Sequence, residues 1–122
     1  MRVIGIDIGG TAVKYGLLEE NGKLLESGEF ATEAGKGIDN LFNNMCKIID
    51  KYMSKDILGI AVSGTGQIDG SIGKVIGGNP IIPGWIGTNL VEKLETKYSL
   101  PAVLENDVNC AALGEKWLGA GK

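Results

Sequence analysis

Histidine does not occur anywhere in the 122-residue sequence, and cysteine occurs only twice. Without histidine these residues can hold neither a Ser-His-Asp nor a Cys-His nucleophile, nor an HExxH metal site, so their chemistry must use carboxylates and backbone groups. Cys46 and Cys110 are too few and too widely separated for a zinc cluster, and a reducing cytoplasm disfavours a disulfide between them. We expect both to be packing residues.

A strong excess of charge is also lacking, because 12 lysines and arginines stand against 15 aspartates and glutamates. The net charge of -3 provides no basic field for nucleic acid or for an anionic membrane surface, so we expect neither partner. Met1 and Arg2 lead directly into a predicted strand, and no apolar run is long enough to span a bilayer. We therefore expect a cytoplasmic protein without a signal peptide. The length suits one domain with a core of its own.

Glycine is abundant, with 20 residues in the chain, and one glycine pair follows the first predicted strand. Alternating isoleucines predict a strand over residues 3–8 with Asp7 at its C-terminal end. Gly9 and Gly10 come next; because they have no Cβ, they permit positive φ and let backbone N–H groups converge on an anion. Thr11 adds a hydroxyl donor. The sequence therefore predicts a phosphate-binding turn.

A carboxylate beside a phosphate site needs a cation between the two negative charges. Magnesium prefers oxygen ligands and keeps several of its waters, so Asp7 is predicted to lie on the magnesium side of the bound phosphate. The alternative is that Gly9 and Gly10 form an ordinary tight hairpin turn.

Hydrophobic periodicity predicts an α/β domain with the element order βββαβαβα. A central parallel strand follows the first helix through a right-handed crossover, so we expect a mixed five-stranded sheet with helices on both faces. Asn21-Gly22 predicts a type I′ turn, and Thr88 is predicted as a helix N-cap. The predicted strands cover residues 3–8, 13–18, 24–31, 57–62 and 101–104. The predicted helices cover residues 38–53, residues 88–98 and the segment after Asp107 through Trp117. Residues 67–76 are predicted to form a glycine-rich hairpin.

Two loops carry further candidate positions. The paired prolines and Gly84 in residues 80–85 predict a rigid irregular loop. Trp85 in this loop is expected to fill the core, with contact to a bound ligand as the alternative. The glycine-rich segment 63–66 ends the fourth predicted strand. It is neither a dinucleotide fingerprint nor a P-loop.

Asp107 falls at the junction of the fifth predicted strand and the third predicted helix. The helix N-terminus favours an ionised carboxylate there, ready to accept a hydrogen bond. The alternative is that Asp107 only caps its helix.

The element order and the Asp-x-Gly-Gly-Thr motif in the first hairpin resemble the ribonuclease H-like lobe of the superfamily that contains sugar kinases, actin and Hsp70. This lobe has the actin-like ATPase fold. The segments 79–85 (NPIIPGW) and 105–115 (ENDVNCAALGE) resemble the ROK family of repressors, open reading frames and sugar kinases. The resemblance covers essentially all 122 residues. It implies a two-lobed hexose kinase whose cleft binds ATP and a sugar. This chain is then the N-terminal lobe, with the C-terminal lobe absent, and the isolated lobe is expected to be inactive.

The resemblance also implies roles for individual residues. It implies that Asp107 is the catalytic base and that Asn106 binds sugar hydroxyls. Glu105 either contacts the sugar or a nearby water, or simply ends its strand. The implied phosphate and magnesium positions are Asp7, Gly9, Gly10, Thr11 and Lys14, and further implied sugar positions are Gly64, Thr65 and Asn79.

The sequence departs from the family pattern at one of these positions. The commonest family form has asparagine two residues before the second proline, where this chain has Ile81, so sugar contact by Asn79 is an open question. The resemblance further implies a structural zinc in the missing lobe and allows a homodimer of the complete protein. It does not identify the hexose.

Two other classes remain open at this point. A ROK repressor is a sugar-responsive DNA-binding protein with an N-terminal helix-turn-helix, for which there is no room before Val3. A sugar-binding module without catalysis is the second alternative.

Overall fold

A computed structural model describes residues 2–19, 21–53, 56–64, 67–69, 74–77 and 82–105 of the chain. A 3₁₀ turn over Ala34–Lys36 leads into the first helix. The elements in chain order are β1 (Arg2–Ile8), β2 (Ala12–Glu19), β3 (Leu24–Ala31), α1 (Gly37–Tyr52), β4 (Ile57–Ser63), β5 (Gln67–Asp69), β6 (Lys74–Gly77), α2 (Leu90–Tyr98) and β7 (Ala102–Glu105).

Five strands form one mixed sheet in the order β3-β2-β1-β4-β7. The first three strands are antiparallel neighbours, whereas β4 runs parallel to β1 and β7 runs parallel to β4. The predicted meander and the predicted parallel crossover are therefore confirmed. β5 and β6 form a separate antiparallel pair, which confirms the predicted glycine-rich hairpin.

The core lies against one face of the sheet. Register pairs Ile4 with Leu17 on β2 and with Ile60 on β4, and all three side chains are buried. Because side chains alternate along a strand, every second residue points to this face, and these positions hold the large apolar residues. Both described helices contribute to the same cluster, through Leu41, Met45, Ile49, Leu90 and Leu94. Burial of each such side chain contributes roughly 1.5–3 kcal/mol.

The opposite face has small residues at its centre. Gly5 of β1 is paired with Gly16 of β2 and with Ala61 of β4. The prediction of helices on both faces depends on the helix expected after Asp107, which lies outside the described residues together with Cys110. Cys46 is buried in α1 with 4% of its surface exposed, as expected of a packing residue.

The turn between β2 and β3 differs from the prediction. Gly22 donates its N–H to the Glu19 carbonyl at 2.8 Å, and the Glu19 N–H donates to the Lys23 carbonyl at 2.8 Å, so the bonds enclose a three-residue loop. Gly22 has φ 92°, but Asn21 does not have positive φ. The predicted type I′ turn, which needs positive φ at both residues, is therefore wrong.

The N-cap of α2 is one residue later than predicted. The Asn89 side chain accepts the Glu92 N–H at 3.0 Å, which satisfies an unpaired donor of the first turn. Thr88 instead donates its hydroxyl to the Gly84 carbonyl. The prediction of Thr88 as the cap was wrong because two good capping residues are adjacent, and the helix begins only at Leu90.

Two polar contacts fix α2 to its neighbours. The Tyr98 hydroxyl donates to Asp50 Oδ1 at 3.0 Å and lies 3.3 Å from the Cys46 carbonyl, both on α1. Glu95 Oε2 accepts the N–H of Ala102 at 3.1 Å and so holds the start of β7. Within the part of the chain that the structure describes, neither helix has the length and apolarity needed to cross a membrane.

Candidate active site

One row of polar residues crosses the whole sheet near one end. Register pairs Glu29 of β3 with Lys14 of β2, Lys14 with Asp7 of β1, Asp7 with Ser63 of β4, and Ser63 with Glu105 of β7. Glu29, Lys14 and Asp7 are exposed, and Ser63 is half-buried. Together Glu29, Lys14, Asp7 and Ser63 therefore place polar groups and charges of both signs on the face opposite the core.

The same end of the sheet collects the carboxyl ends of its three parallel strands. β1 ends at Ile8, β4 at Ser63 and β7 at Glu105. Ligands of open α/β sheets bind outside the carboxyl ends of parallel strands, so this edge is the expected place for a site. Gly64 continues directly from β4 and is buried. Asp107 follows β7 by two residues in sequence.

The turn between β1 and β2 lies at this edge. Gly9 donates its N–H to the Ala12 carbonyl at 3.0 Å and is half-buried, whereas Gly10 and Thr11 are exposed. The N–H groups of Gly10 and Thr11 have no acceptor among the described residues. Two adjacent amides and the Thr11 hydroxyl are thus available to a bound anion.

The reason for glycine in this turn differs from the prediction. Neither Gly9 nor Gly10 has positive φ, so conformational freedom does not explain them. A Cβ at Gly9 would lie 2.9 Å from the Ala12 carbonyl oxygen, closer than real Cβ atoms approach such a group. Close approach of the two strand ends therefore requires the glycine at position 9.

Thr32 is a residue of this region that sequence reasoning missed. Its side chain is completely buried, its hydroxyl donates to the Gly9 carbonyl at 2.8 Å, and its N–H donates to the Thr11 carbonyl at 2.9 Å. A single threonine after a predicted strand carries no specific signal, because these bonds join segments that are far apart in sequence.

An open cavity of about 300 Å³ adjoins the Asp7–Lys14 pair. Its floor includes the small residues Gly5, Gly16 and Ala61 of the three central strands. Because small side chains leave space above the sheet, Asp7 borders an open volume. Ser63 also lines this cavity.

Asp7 meets the requirements of a magnesium ligand that acts together with phosphate. No group of three or more cysteine, aspartate or glutamate side chains that could hold a metal ion occurs within the described ranges. Magnesium bound through one or two carboxylates plus phosphate oxygens and water needs no such group. The exposed Asp7 carboxylate beside the free amides of the turn fits that kind of binding.

Trp85 is a core residue. Only 1% of its surface is exposed, and its backbone N–H donates to the Ile82 carbonyl at 3.0 Å. This confirms the preferred sequence interpretation. The Pro83 carbonyl accepts the Ile38 N–H at 2.9 Å, which joins this loop to the first turn of α1.

Several predicted sugar-site positions lie outside the described residues. They are Thr65, Asn79, Asn106, Asp107 and the side chain of Glu105. Their roles stay predictions.

Comparison with known proteins identifies the family. A model of the ROK family matches residues 3–122. The chain belongs to the ROK family. The five-stranded sheet described above is the fold of the N-terminal lobe of ROK kinases.

Several named relatives of this ROK chain are sugar kinases. A beta-glucoside kinase of Listeria monocytogenes is 36% identical over 100% of this chain and 40% of its own length. A glucokinase of Halalkalibacterium halodurans is 34% identical over 97% of this chain and 37% of its own length. The crystal structure of a ROK family glucokinase from Streptomyces griseus in complex with glucose and AMPPNP superposes with a TM-score of 0.76 at 29% identity, covering 100% of this chain and 38% of that one. The ROK chain thus spans between 37% and 40% of the length of these relatives.

Proposed function

We propose that this ROK chain is the N-terminal lobe of a sugar kinase that transfers the γ-phosphoryl group of ATP to a hydroxyl of a hexose or hexose derivative. The observation that carries the proposal is the β1–β2 turn, where the backbone amides of two exposed residues, three and four positions after Asp7, have no acceptors among the described residues. The names of the relatives support the same activity, since they are glucokinases and a beta-glucoside kinase.

The turn supplies the phosphate-binding part of the proposed reaction. The N–H groups of Gly10 and Thr11, with the Thr11 hydroxyl, donate to phosphate oxygens. Such donors are fixed before the reaction, so they stabilise developing charge without reorganisation. Lys14 is the cross-strand partner of Asp7 and contributes a positive charge next to the same site.

Magnesium is the metal that Asp7 would hold, directly or through water. When bound, it neutralises the charge of the phosphate oxygens during transfer. The Asp7 carboxylate would hold that ion at the end of β1.

Asp107 is the proposed general base. It lies two residues after β7, and β7 is parallel to β4. The Asp107 carboxylate would orient the attacking sugar hydroxyl and accept its proton as the new O–P bond forms and the bond from the γ-phosphorus to the ADP oxygen breaks. Because phosphoryl transfer passes through a loose transition state, orientation of the hydroxyl contributes more than early proton removal.

The sugar itself would be held by the remaining polar positions of the sequence prediction. Asn106 and Glu105 are proposed to bind its hydroxyls, and Gly64 and Thr65 to contribute backbone groups, while Asn79 is a weaker candidate. The complete protein is proposed to lie in the cytoplasm, where ATP is supplied. The proposal is compatible with a homodimer.

ADP release by the complete protein tests the proposal. A coupled assay with a panel of hexoses, hexosamines and β-glucosides should show ADP release that needs one sugar class, ATP and magnesium together. Binding of a sugar by calorimetry without any ADP release would contradict the kinase and favour the regulator or the binding module.

A further inference from the structure

Thr32 makes two hydrogen bonds to the β1–β2 turn. It is the buried polar residue of the described core, with no surface exposed, and it follows β3 directly. Its hydroxyl donates to the Gly9 carbonyl at 2.8 Å, and its backbone N–H donates to the Thr11 carbonyl at 2.9 Å. One residue thus binds both ends of the exposed segment.

The first of these bonds determines where the next amide points. A trans peptide is planar, with its C=O and N–H groups in opposite directions, and the described peptides contain no cis bond. Because the Gly9 carbonyl points toward the buried Thr32 hydroxyl, the Gly10 N–H of the same peptide points away from it. Gly10 is exposed, and its N–H has no acceptor among the described residues.

The second bond fixes the other end of the turn. The Thr11 carbonyl is held by the Thr32 N–H, while the Gly9 N–H donates to the Ala12 carbonyl at 3.0 Å. The carbonyl oxygens of Gly9, Thr11 and Ala12 are therefore all occupied within the protein. This arrangement keeps these negative dipoles away from the side on which an anion would bind.

Threonine suits this position for a physical reason. Its β-branched side chain has few χ1 rotamers, so a buried hydroxyl is held in one direction. A buried hydroxyl also needs a partner, and the Gly9 carbonyl provides it. Valine has the same shape as threonine but no hydroxyl donor. Thr32→Val therefore removes the hydrogen bond and keeps the packing.

We propose that Thr32 is a positioning residue for nucleotide binding, which aims the Gly10 N–H at a phosphate of ATP by holding the Gly9 carbonyl. The inference rests on the proposed kinase function. Thr32 does not itself touch the nucleotide in this proposal; it acts through the turn.

Steady-state kinetics of Thr32→Val and Thr32→Ser in the complete protein test the inference. Thr32→Val is expected to raise the KM for ATP at least tenfold and to leave the KM for the sugar within twofold of wild type. Thr32→Ser keeps the donor and is expected to restore the KM for ATP to within threefold. An unchanged KM for ATP in Thr32→Val overturns the inference.

Tyr98→Phe provides a matched control for loss of stability alone. It also removes one hydroxyl bonded to a main-chain carbonyl, but between α1 and α2 and away from the turn. The control is expected to lower the melting temperature without changing the KM for ATP. If Tyr98→Phe and Thr32→Val change both KM values to the same extent, Thr32 is only structural.

Two further outcomes keep the experiment decisive. If the wild-type protein releases no ADP with any sugar, both the kinase function and this inference are wrong. If the wild-type protein turns over normally and Thr32→Val has an unchanged KM for ATP, only the positioning role of Thr32 is wrong. If Thr32→Val does not fold, the Gly10 amide of the wild-type protein is followed by NMR during titration with AMPPNP. A shift of that resonance supports the inference, and an unchanged resonance at saturation overturns it.

Discussion

Asp7 and Lys14 are cross-strand partners on β1 and β2, so an exposed carboxylate and an exposed ammonium group occupy adjacent positions where the sheet meets the turn. The pair also borders the open cavity on the face opposite the core. A positive charge at this position reduces the repulsion between Asp7 and a polyphosphate. In the proposed kinase, the remaining repulsion is offset by magnesium.

Replacement of Asp7 should therefore impair the use of magnesium and ATP. We expect Asp7→Asn in the complete protein to lower kcat/KM for ATP by about 10²–10³, the range for loss of one preorganised electrostatic group. The matched control is Glu29→Gln, since Glu29 is an exposed carboxylate of the same row on the edge strand. The control should stay within twofold of wild type. Equal losses in the two variants would reduce the role of Asp7 to a general effect of surface charge.

The close approach at Gly9 makes a second prediction. In Gly9→Ala the new Cβ would lie 2.9 Å from the Ala12 carbonyl oxygen, so the turn must shift. We expect a loss of about 1–3 kcal/mol in the free energy of unfolding, as for other overpacked sites, together with a raised KM for ATP.

Gly35→Ala is the control for that variant. Gly35 lies in the 3₁₀ turn, and a Cβ there would meet nothing within 4 Å. Chemical unfolding should show it unchanged or slightly more stable, because alanine reduces the freedom of the unfolded chain. A Gly9→Ala protein as stable as the control would mean that the strand ends can separate without cost.

Alkaline pH should weaken the contact between the two helices. Burial, and then hydrogen bonding with the side chains of Cys46 and Asp50, raise the pKa of Tyr98 above its ordinary value of 10.0. The folded chain then retains the phenol proton while the unfolded chain loses it. The stabilisation is fully present below pH 10.0 and declines as the pH rises above that value.

Unfolding in urea at pH 8 and pH 11 checks this prediction. Tyr98→Phe should be about 1 kcal/mol less stable than wild type at pH 8, the usual contribution of one hydrogen bond. It should also lose less stability than wild type between the two pH values. Parallel losses in the two proteins would show that Tyr98 does not titrate with unfolding.

Periodicity was enough to predict β1 and α1 but not the contacts between elements. The alternating isoleucines of β1 and the apolar stripe of α1 are local patterns, and both elements occur where they were predicted. Asn89 caps α2 instead of Thr88 because adjacent capping residues cannot be ranked from sequence alone.

The candidate site was predicted only in part, for a similar reason. Asp7 and the glycine turn form a local motif and could be recognised. The alignment of Asp7 with Ser63 depends on the register of parallel strands, which no short pattern determines. The bond from Thr32 to Gly9 joins residues 23 positions apart, so it becomes visible only in the folded chain.

Residues 1–122 alone should be inactive if they form one lobe of a two-lobed enzyme. A single lobe cannot close over ATP and exclude water, so we expect sugar-dependent ADP release at least about 100-fold below that of the complete protein. Purified chain of both lengths in the same coupled assay provides the comparison. A rate near that of the complete protein would contradict the division into lobes.

The measurement that tests the proposed kinase most directly is kcat of Asp107→Asn in the complete protein. Asparagine has nearly the shape of aspartate and can still cap a helix, so folding and nucleotide binding should be preserved. An amide cannot accept the proton of the sugar hydroxyl, and loss of a positioned general base typically lowers kcat by ~10² to 10⁴. We predict that loss in an ADP-release assay, with the melting temperature of the variant close to wild type. A tenfold change in kcat corresponds to ~1.36 kcal/mol in the activation barrier. A folded Asp107→Asn protein whose kcat stays within about threefold of wild type would therefore contradict the proposed base and leave Asp107 as a helix cap.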